Sequence, residues 1–197
     1  MLLGLLLSSP AFADERFDKD LKKLSKLNSF FNNKGKPYQI QKNINKDKTI
    51  IIIYTHGAKG DDQSIDKCKV KGNKIPPVIY QLDGIKIKSF TVKTYHLCSG
   101  VRGWTKSEED RFWDIYNKNN QDISKVLNLK DKNGVLLINK WEGSTKRKVI
   151  KLKIDEFKTK GFNNIILAGH SAGAWGSLVL YSNFPSEING VIAFNPA

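Results

Sequence analysis

Short apolar runs and longer amphipathic stretches alternate along this chain. Thr49 to Tyr54, Val135 to Asn139, Ile165 to Ala168 and Gly190 to Phe194 are nearly unbroken β-branched and aromatic runs, the pattern of strands buried on both faces. Between them the apolar spacing turns helical. Glu15 to Phe31 carries Phe17, Leu21, Leu24 and Leu27 as a stripe. A second helix starts at Ser107 as N-cap, with Glu108, Glu109 and Asp110 in its first turn, and continues through Phe112, Trp113 and Tyr116. In a third, Ile150, Ile154 and Phe157 face inward, while Lys146, Arg147, Lys148, Lys151, Lys153, Lys158 and Lys160 form a solvated face. Ala174 to Tyr181 makes a fourth. Pro37 to Asn45 is compatible with an edge strand. Val78 to Leu82, a turn at Asp83-Gly84 and Ile85 to Tyr95 suggest a strand pair or a strand extension. Helices alternating with apolar strands imply an α/β fold, with a mainly parallel sheet and helices on both faces. The chain divides into a leader at 1–13, an N-terminal helix and edge strand at 14–45, and one α/β domain over 46–197.

The chemistry concentrates where one apolar run meets a helix. Gly169-His170-Ser171-Ala172-Gly173 fits G-x-S-x-G, with the run Ile165 to Ala168 ahead of it and a helix behind. A serine on so tight a turn stands with its hydroxyl above the sheet. Glycines on either side remove Cβ atoms that would clash there, and the helix N-terminus faces any anion that forms beside it. The plain alternative is a glycine-punctuated turn with an inert serine. His170 reads as structural, because its backbone position points it away from the Ser171 hydroxyl. Upstream, Thr49 to Tyr54 runs directly into Thr55-His56-Gly57-Ala58.

With these two stretches in this order, residues 46–197 resemble the α/β-hydrolase superfamily. The resemblance implies Ser171 as nucleophile and the backbone N–H of Ala172 as one oxyanion donor. The other donor would be the N–H of Ala58 or of Gly57. It implies cleavage of an ester or amide through an acyl-enzyme, with carboxylic esters, lipid esters included, as the default substrates and no cofactor. One oxyanion donor is worth roughly 3 kcal/mol of barrier lowering.

A serine hydroxyl needs a base, and the base an orienting carboxylate; in this superfamily both follow the serine, acid first. Between Ser171 and Ala197 stand one carboxylate, Glu187, and no histidine. Glu187 follows Pro185-Ser186 and reads as a solvated turn residue. Asn195 occupies the strand tip where some relatives place their acid, and an amide cannot serve that role unchanged. The acid and base are therefore expected beyond residue 197, in strands and helices that follow the sixth of the family's usual eight strands. A non-standard alternative takes the base from His96, at the end of the run Ile85 to Tyr95. A different class of reading is a non-catalytic binding protein that keeps the fold without the triad.

Met1 to Ala13 has an apolar core, Leu2 to Leu7, and a small-x-small site at Ala11-Phe12-Ala13, the form of a signal peptide lacking its positive start. The core is too short to span a bilayer, so export to the periplasm or medium is expected. An oxidising compartment would favour pairing Cys68 with Cys98, closing a loop of about 30 residues worth roughly 3–4 kcal/mol. Two unpaired thiols packed as small hydrophobes, or a thiol nucleophile at Cys98 near His96, are the alternatives. Asp61 and Asp62 lie in the polar loop 58–78, where adjacent carboxylates without further ligands read as a solvated turn rather than a metal site.

The formal net charge is +14, from 33 Lys and Arg against 19 Asp and Glu. The charge is mostly lysine and scattered, without the signature of a helix-turn-helix, zinc or base-stacking module. Nucleic acid is not expected as a partner. A modest attraction to anionic surfaces is.

Overall fold

A computed structural model of the chain describes residues 30–31, 43–57, 76–97, 104–140 and 142–196. The leader, residues 15–29 of the expected first helix, most of the expected edge strand and the loop 58–75 lie outside these residues. The strands are β1 (Phe30–Phe31), β2 (Thr49–Thr55), β3 (Lys86–Ile87), β4 (Phe90–Leu97), β5 (Asn164–His170) and β6 (Gly190–Phe194). The helices are α1 (Pro77–Tyr80), α2 (Lys106–Lys118), α3 (Leu137–Lys140), α4 (Glu142–Thr159) and α5 (Ala172–Asn183). The strand order is β1-β4-β2-β5-β6, with β3 also paired to β4. β4, β2, β5 and β6 are mutually parallel, while β1 and β3 pair antiparallel with β4. The fold is α/β with a mostly parallel, mixed sheet.

Alternation along the strands sends two sets of residues to opposite faces. On one face Ile51, Ile53, Tyr95, Leu97, Ile165 and Leu167 are buried against Val149, Ile150, Ile154 and Phe157 of α4 and Leu180 of α5. Each of these large side chains contributes about 1.5–3 kcal/mol on burial. On the other face Ile52, Tyr54, Val92 and Ala168 meet Ile79 of α1. Among the described residues, that second face is covered by a single helical turn, where the sequence implied fuller helices on both sides. The α2 segment builds a satellite core from Phe112, Val126 and Leu137, over which Trp104 donates its indole N–H to the Leu137 carbonyl at 2.5 Å.

Several expectations fail for local reasons. Phe30 and Phe31 end no helix but pair with Leu97 and His96. The last residues of the expected edge strand are not extended pairing, since Asn45 caps a short 3-10 turn at Lys46–Lys48. Val78 to Leu82 is helical from Pro77, whose fixed φ suits the first position of a helix. The run Ile85 to Tyr95 is broken by a reversal in which Ile87 faces Phe90 and Lys88 takes φ 53°. Val135 to Asn139 makes one bridge, Leu136 to Lys130, and then coils into α3. The cap of α2 is Thr105 rather than Ser107. Its hydroxyl accepts the Glu108 N–H while the Glu108 carboxylate accepts the Thr105 N–H, a closed capping box.

What matters for function is the centre of the sheet. From β2 the chain crosses to β4 on one side, then returns to place β5 on the other. Thr55 pairs with Gly169, so β2 and β5 end level with each other. A crevice outside the carboxyl ends of parallel strands, where the winding reverses, is where such sheets bind ligands.

Candidate active site

Ser171 links β5 to α5 at φ 51° and ψ −125°. This is a sparsely populated conformation for any residue with a Cβ, costing of order 1–3 kcal/mol. Its N–H donates to the Phe194 carbonyl at the end of β6 at 3.1 Å, and its carbonyl accepts the Trp175 N–H at 3.0 Å. The side chain makes no capping bond to its own helix, unlike Asn45, Thr105 and Asp122 at theirs. Ala172 is the first residue of α5, so its N–H is one of the donors a helix start leaves without an intrahelical acceptor.

The flanking glycines have steric reasons. A Cβ on Gly169 would lie 2.4 Å from the Gly173 carbonyl carbon and 2.5 Å from the Ala174 nitrogen. A Cβ on Gly173 would lie 2.2 Å from the Thr55 carbonyl oxygen and 2.5 Å from that of His56. The first turn of α5 is thus pressed against the end of β2, which no other residue type permits.

That pressing brings the two sequence features together. Gly57 stands against the elbow: a Cβ there would lie 3.0 Å from Ser171 Cβ, 3.2 Å from His170 Nδ1 and 3.3 Å from the His170 carbonyl. Gly57→Ala is expected to push Ser171 aside by a few tenths of an ångström. We expect it to slow covalent labelling of Ser171 about tenfold while costing roughly 1 kcal/mol of stability. Labelling rates and denaturant midpoints measured on the same preparation check both numbers.

His56 is buried, with Nδ1 2.5 Å from its neighbour's carbonyl at Gly57 and 3.4 Å from Lys146 Nζ. The His96 ring lies edge-on to it at 6.0 Å and 5.4 Å from the ring of Tyr54. Burial pushes the Tyr54 hydroxyl up to about 12, so it stays neutral. His96 is itself buried on β4, on the far side of β2 from β5, the strand that leads into Ser171. Lys146 corrects the expectation of a solvated lysine face, being 1% exposed. Arg147 departs from it too: its guanidinium lies 4.9 Å over the Trp175 ring, and burial draws it down to about 10. Helical spacing carried the signal for Lys146, which lies in phase with Ile150, Ile154 and Phe157.

The remaining candidates fall elsewhere. Glu187 sits in a turn but is paired rather than solvated, its carboxylate 3.1 Å from Lys151 Nζ. Burial works to lower the Lys151 ammonium, but hydrogen bonds to Asp155 and Glu187 hold it above its ordinary range. Asn195 follows β6 directly, exposed and at φ 44°, one residue past the carbonyl that holds the Ser171 N–H. His170 is exposed. Ala58, Asp61, Asp62, Cys68 and Cys98 lie outside the described residues. Among the described residues, no group of three His, Cys, Asp or Glu could hold a metal ion, and no helix is long and apolar enough to cross a membrane.

A scan against models of known protein families finds no match for this chain, and a search of curated proteins finds none either. The functional reading therefore stands on the geometry and on the motif.

Proposed function

We propose that this chain is an exported serine hydrolase of the α/β-hydrolase type, acting on ester or amide bonds through an acyl-enzyme. The observation that carries the reading is Ser171 itself. It is the residue between a central parallel strand and a helix, held at φ 51°, with glycines wedged on both sides. Strained backbone clusters at functional sites, and a serine on a strand-to-helix turn of this kind is the nucleophile-elbow arrangement, in which the hydroxyl stands above the sheet.

In the proposed reaction Ser171 Oγ attacks the substrate carbonyl carbon and gives its proton to a base. The carbonyl π electrons move to oxygen, and the oxyanion is held by the Ala172 N–H and an N–H of the Gly57–Ala58 loop. Collapse expels the alcohol or amine, which takes the proton. Water then repeats the sequence on the acyl-enzyme. On the same resemblance the base is a histidine that follows the serine in chain order, oriented by an acid between them. Carboxylic esters, including lipid esters, are the default substrates.

The test is labelling by a serine-reactive fluorophosphonate, on protein expressed from the whole reading frame and exported with its leader. Mass spectrometry should place the adduct on Ser171. A folded protein that stays unlabelled would instead support a non-catalytic binding role for the fold.

A further inference from the structure

The hairpin of β3 and β4 lies at the opposite end of the sheet from Ser171. β4 starts there at Phe90, and the parallel strands β2 and β5 run from that end toward Thr55 and His170. At about 3.3 Å per residue, the seven residues of β2 set the two ends roughly 20 Å apart. Ile85, just before β3, is 43% exposed, and Ile87 within it is 47% exposed. Single exposed apolar side chains are ordinary, but these two alternate with Lys86 and Lys88, which are exposed as well. Lys48 joins them from the start of β2: its ammonium lies 3.4 Å from Ser89 Oγ at the hairpin tip and 5.4 Å over the Phe90 ring. Among the described residues, Lys86 and Lys88 meet no carboxylate. The nearest one along the chain, Asp83, accepts the Thr94 N–H at 2.9 Å. Lysines on a short edge strand also guard it against pairing with other chains. That accounts for the cations and leaves the isoleucines unexplained.

We propose that this hairpin docks the protein on an anionic lipid bilayer. Ile85 and Ile87 enter the boundary between headgroups and acyl chains, and the long stems of Lys48, Lys86 and Lys88 carry their ammonium groups to the lipid phosphates. Attachment at such a boundary grows with both the apolar area buried and the attraction to anionic headgroups. The formal charge of +14 on the whole chain favours the same surface. A molecule docked this way holds the carboxyl ends of β2 and β5 away from the lipid. The consequence for substrates rests on the hydrolase reading; the docking does not. Esters would reach Ser171 from the water, and not from the bilayer to which the protein is bound.

The experiment is co-sedimentation of the whole exported protein with vesicles of pure phosphatidylcholine and of a phosphatidylcholine–phosphatidylglycerol mixture. Binding should require the anionic lipid and weaken as salt rises. Lys86→Gln and Lys88→Gln should each weaken it about fivefold. Replacing Ile85 and Ile87 together by threonine, which keeps their branched shape, should weaken it about tenfold. All four side chains are exposed, so these variants should remain folded, and the wild-type result stands without them. No binding to the anionic vesicles overturns the proposal, as does equal binding to the neutral ones. Binding that the lysine variants lose and the isoleucine variant keeps also overturns it, and would mark the hairpin as a site for a soluble polyanion. Labelling of Ser171 by a water-soluble fluorophosphonate should run as fast on bound as on free protein. A rate cut by the vesicles would put the crevice against lipid and overturn the orientation. Vesicle binding with an unreactive Ser171 in both states would sink the hydrolase and leave the docking standing.

Discussion

Ser171→Ala should abolish fluorophosphonate labelling and lower turnover by roughly 10⁴- to 10⁶-fold, the scale seen when a serine nucleophile is removed. It should do so without unfolding the protein, because alanine keeps the Cβ and the same strained backbone. Ser171→Gly separates the two properties. It also removes the hydroxyl, but it frees the residue from a conformation that costs a side chain about 1–3 kcal/mol. Against that, glycine loses about 0.5–1 kcal/mol through the entropy of the unfolded chain. The net expectation is a glycine variant more stable than wild type by about 1 kcal/mol, read as a shift in denaturant midpoint at constant slope. Turnover near wild type in Ser171→Ala would remove Ser171 from the mechanism. A glycine variant no more stable than the alanine one would show that φ 51° is not a strained state here.

Gly173→Ala should be severely damaging, for its added methyl would meet backbone more closely than any sterically allowed contact. Its Cβ would meet the carbonyl oxygens of Thr55 and His56 at 2.2 and 2.5 Å. Both are backbone atoms at the end of the central strand, so no side chain can swing away to make room. Either α5 lifts from the sheet or β2 bends, and each movement opens the core shared by Leu180, Ile150 and Ile53. A loss above about 4 kcal/mol is expected, in the range reserved for gross steric or cavity defects. Gly190→Ala is the control, since nothing lies within 4 Å of its added Cβ; it should stay within about 0.5 kcal/mol of wild type. Equal denaturant midpoints for the two variants would refute the close approach of helix and strand.

The elements around Ser171 were legible because their signals agreed. Ile51, Ile53, Ile165 and Leu167 lie in apolar runs too short for helices, and Gly169 and Gly173 mark the turn between strand and helix. Where two readings fit one run, the wrong one was available. Val135 to Asn139 is five residues of a composition that suits a strand or a buried helical turn equally. Thr105 and Ser107 both precede an acid by three residues, and only the observed pair of hydrogen bonds selects Thr105. The prolines at 76 and 77 did signal a helix start, and the apolar character of Val78 and Ile79 masked it. Lys146 was hidden differently. Its charge argued for water and its helical phase argued for the core; it is buried, with His56, just past the end of β2, 3.4 Å from its nitrogen. No local pattern in the sequence reports a contact between residues 56 and 146.

The central position of β2 also fixes a timetable for biosynthesis. Thr49–Thr55 leaves the ribosome early, yet on one side Ile50 must wait for Asn164. At translation speeds of about 5–20 residues per second, that neighbour arrives on the order of ten seconds later. Until then an apolar strand presents an open edge, which invites pairing with other chains. Such long-range closure is also slow in itself. The elbow lies on the far side of the same event, because the shape of Ser171 depends on α5 being pressed against the end of β2. The backbone shape of Ser171 therefore exists only once β2, open on that side since early in synthesis, has received β5 and the helix behind it.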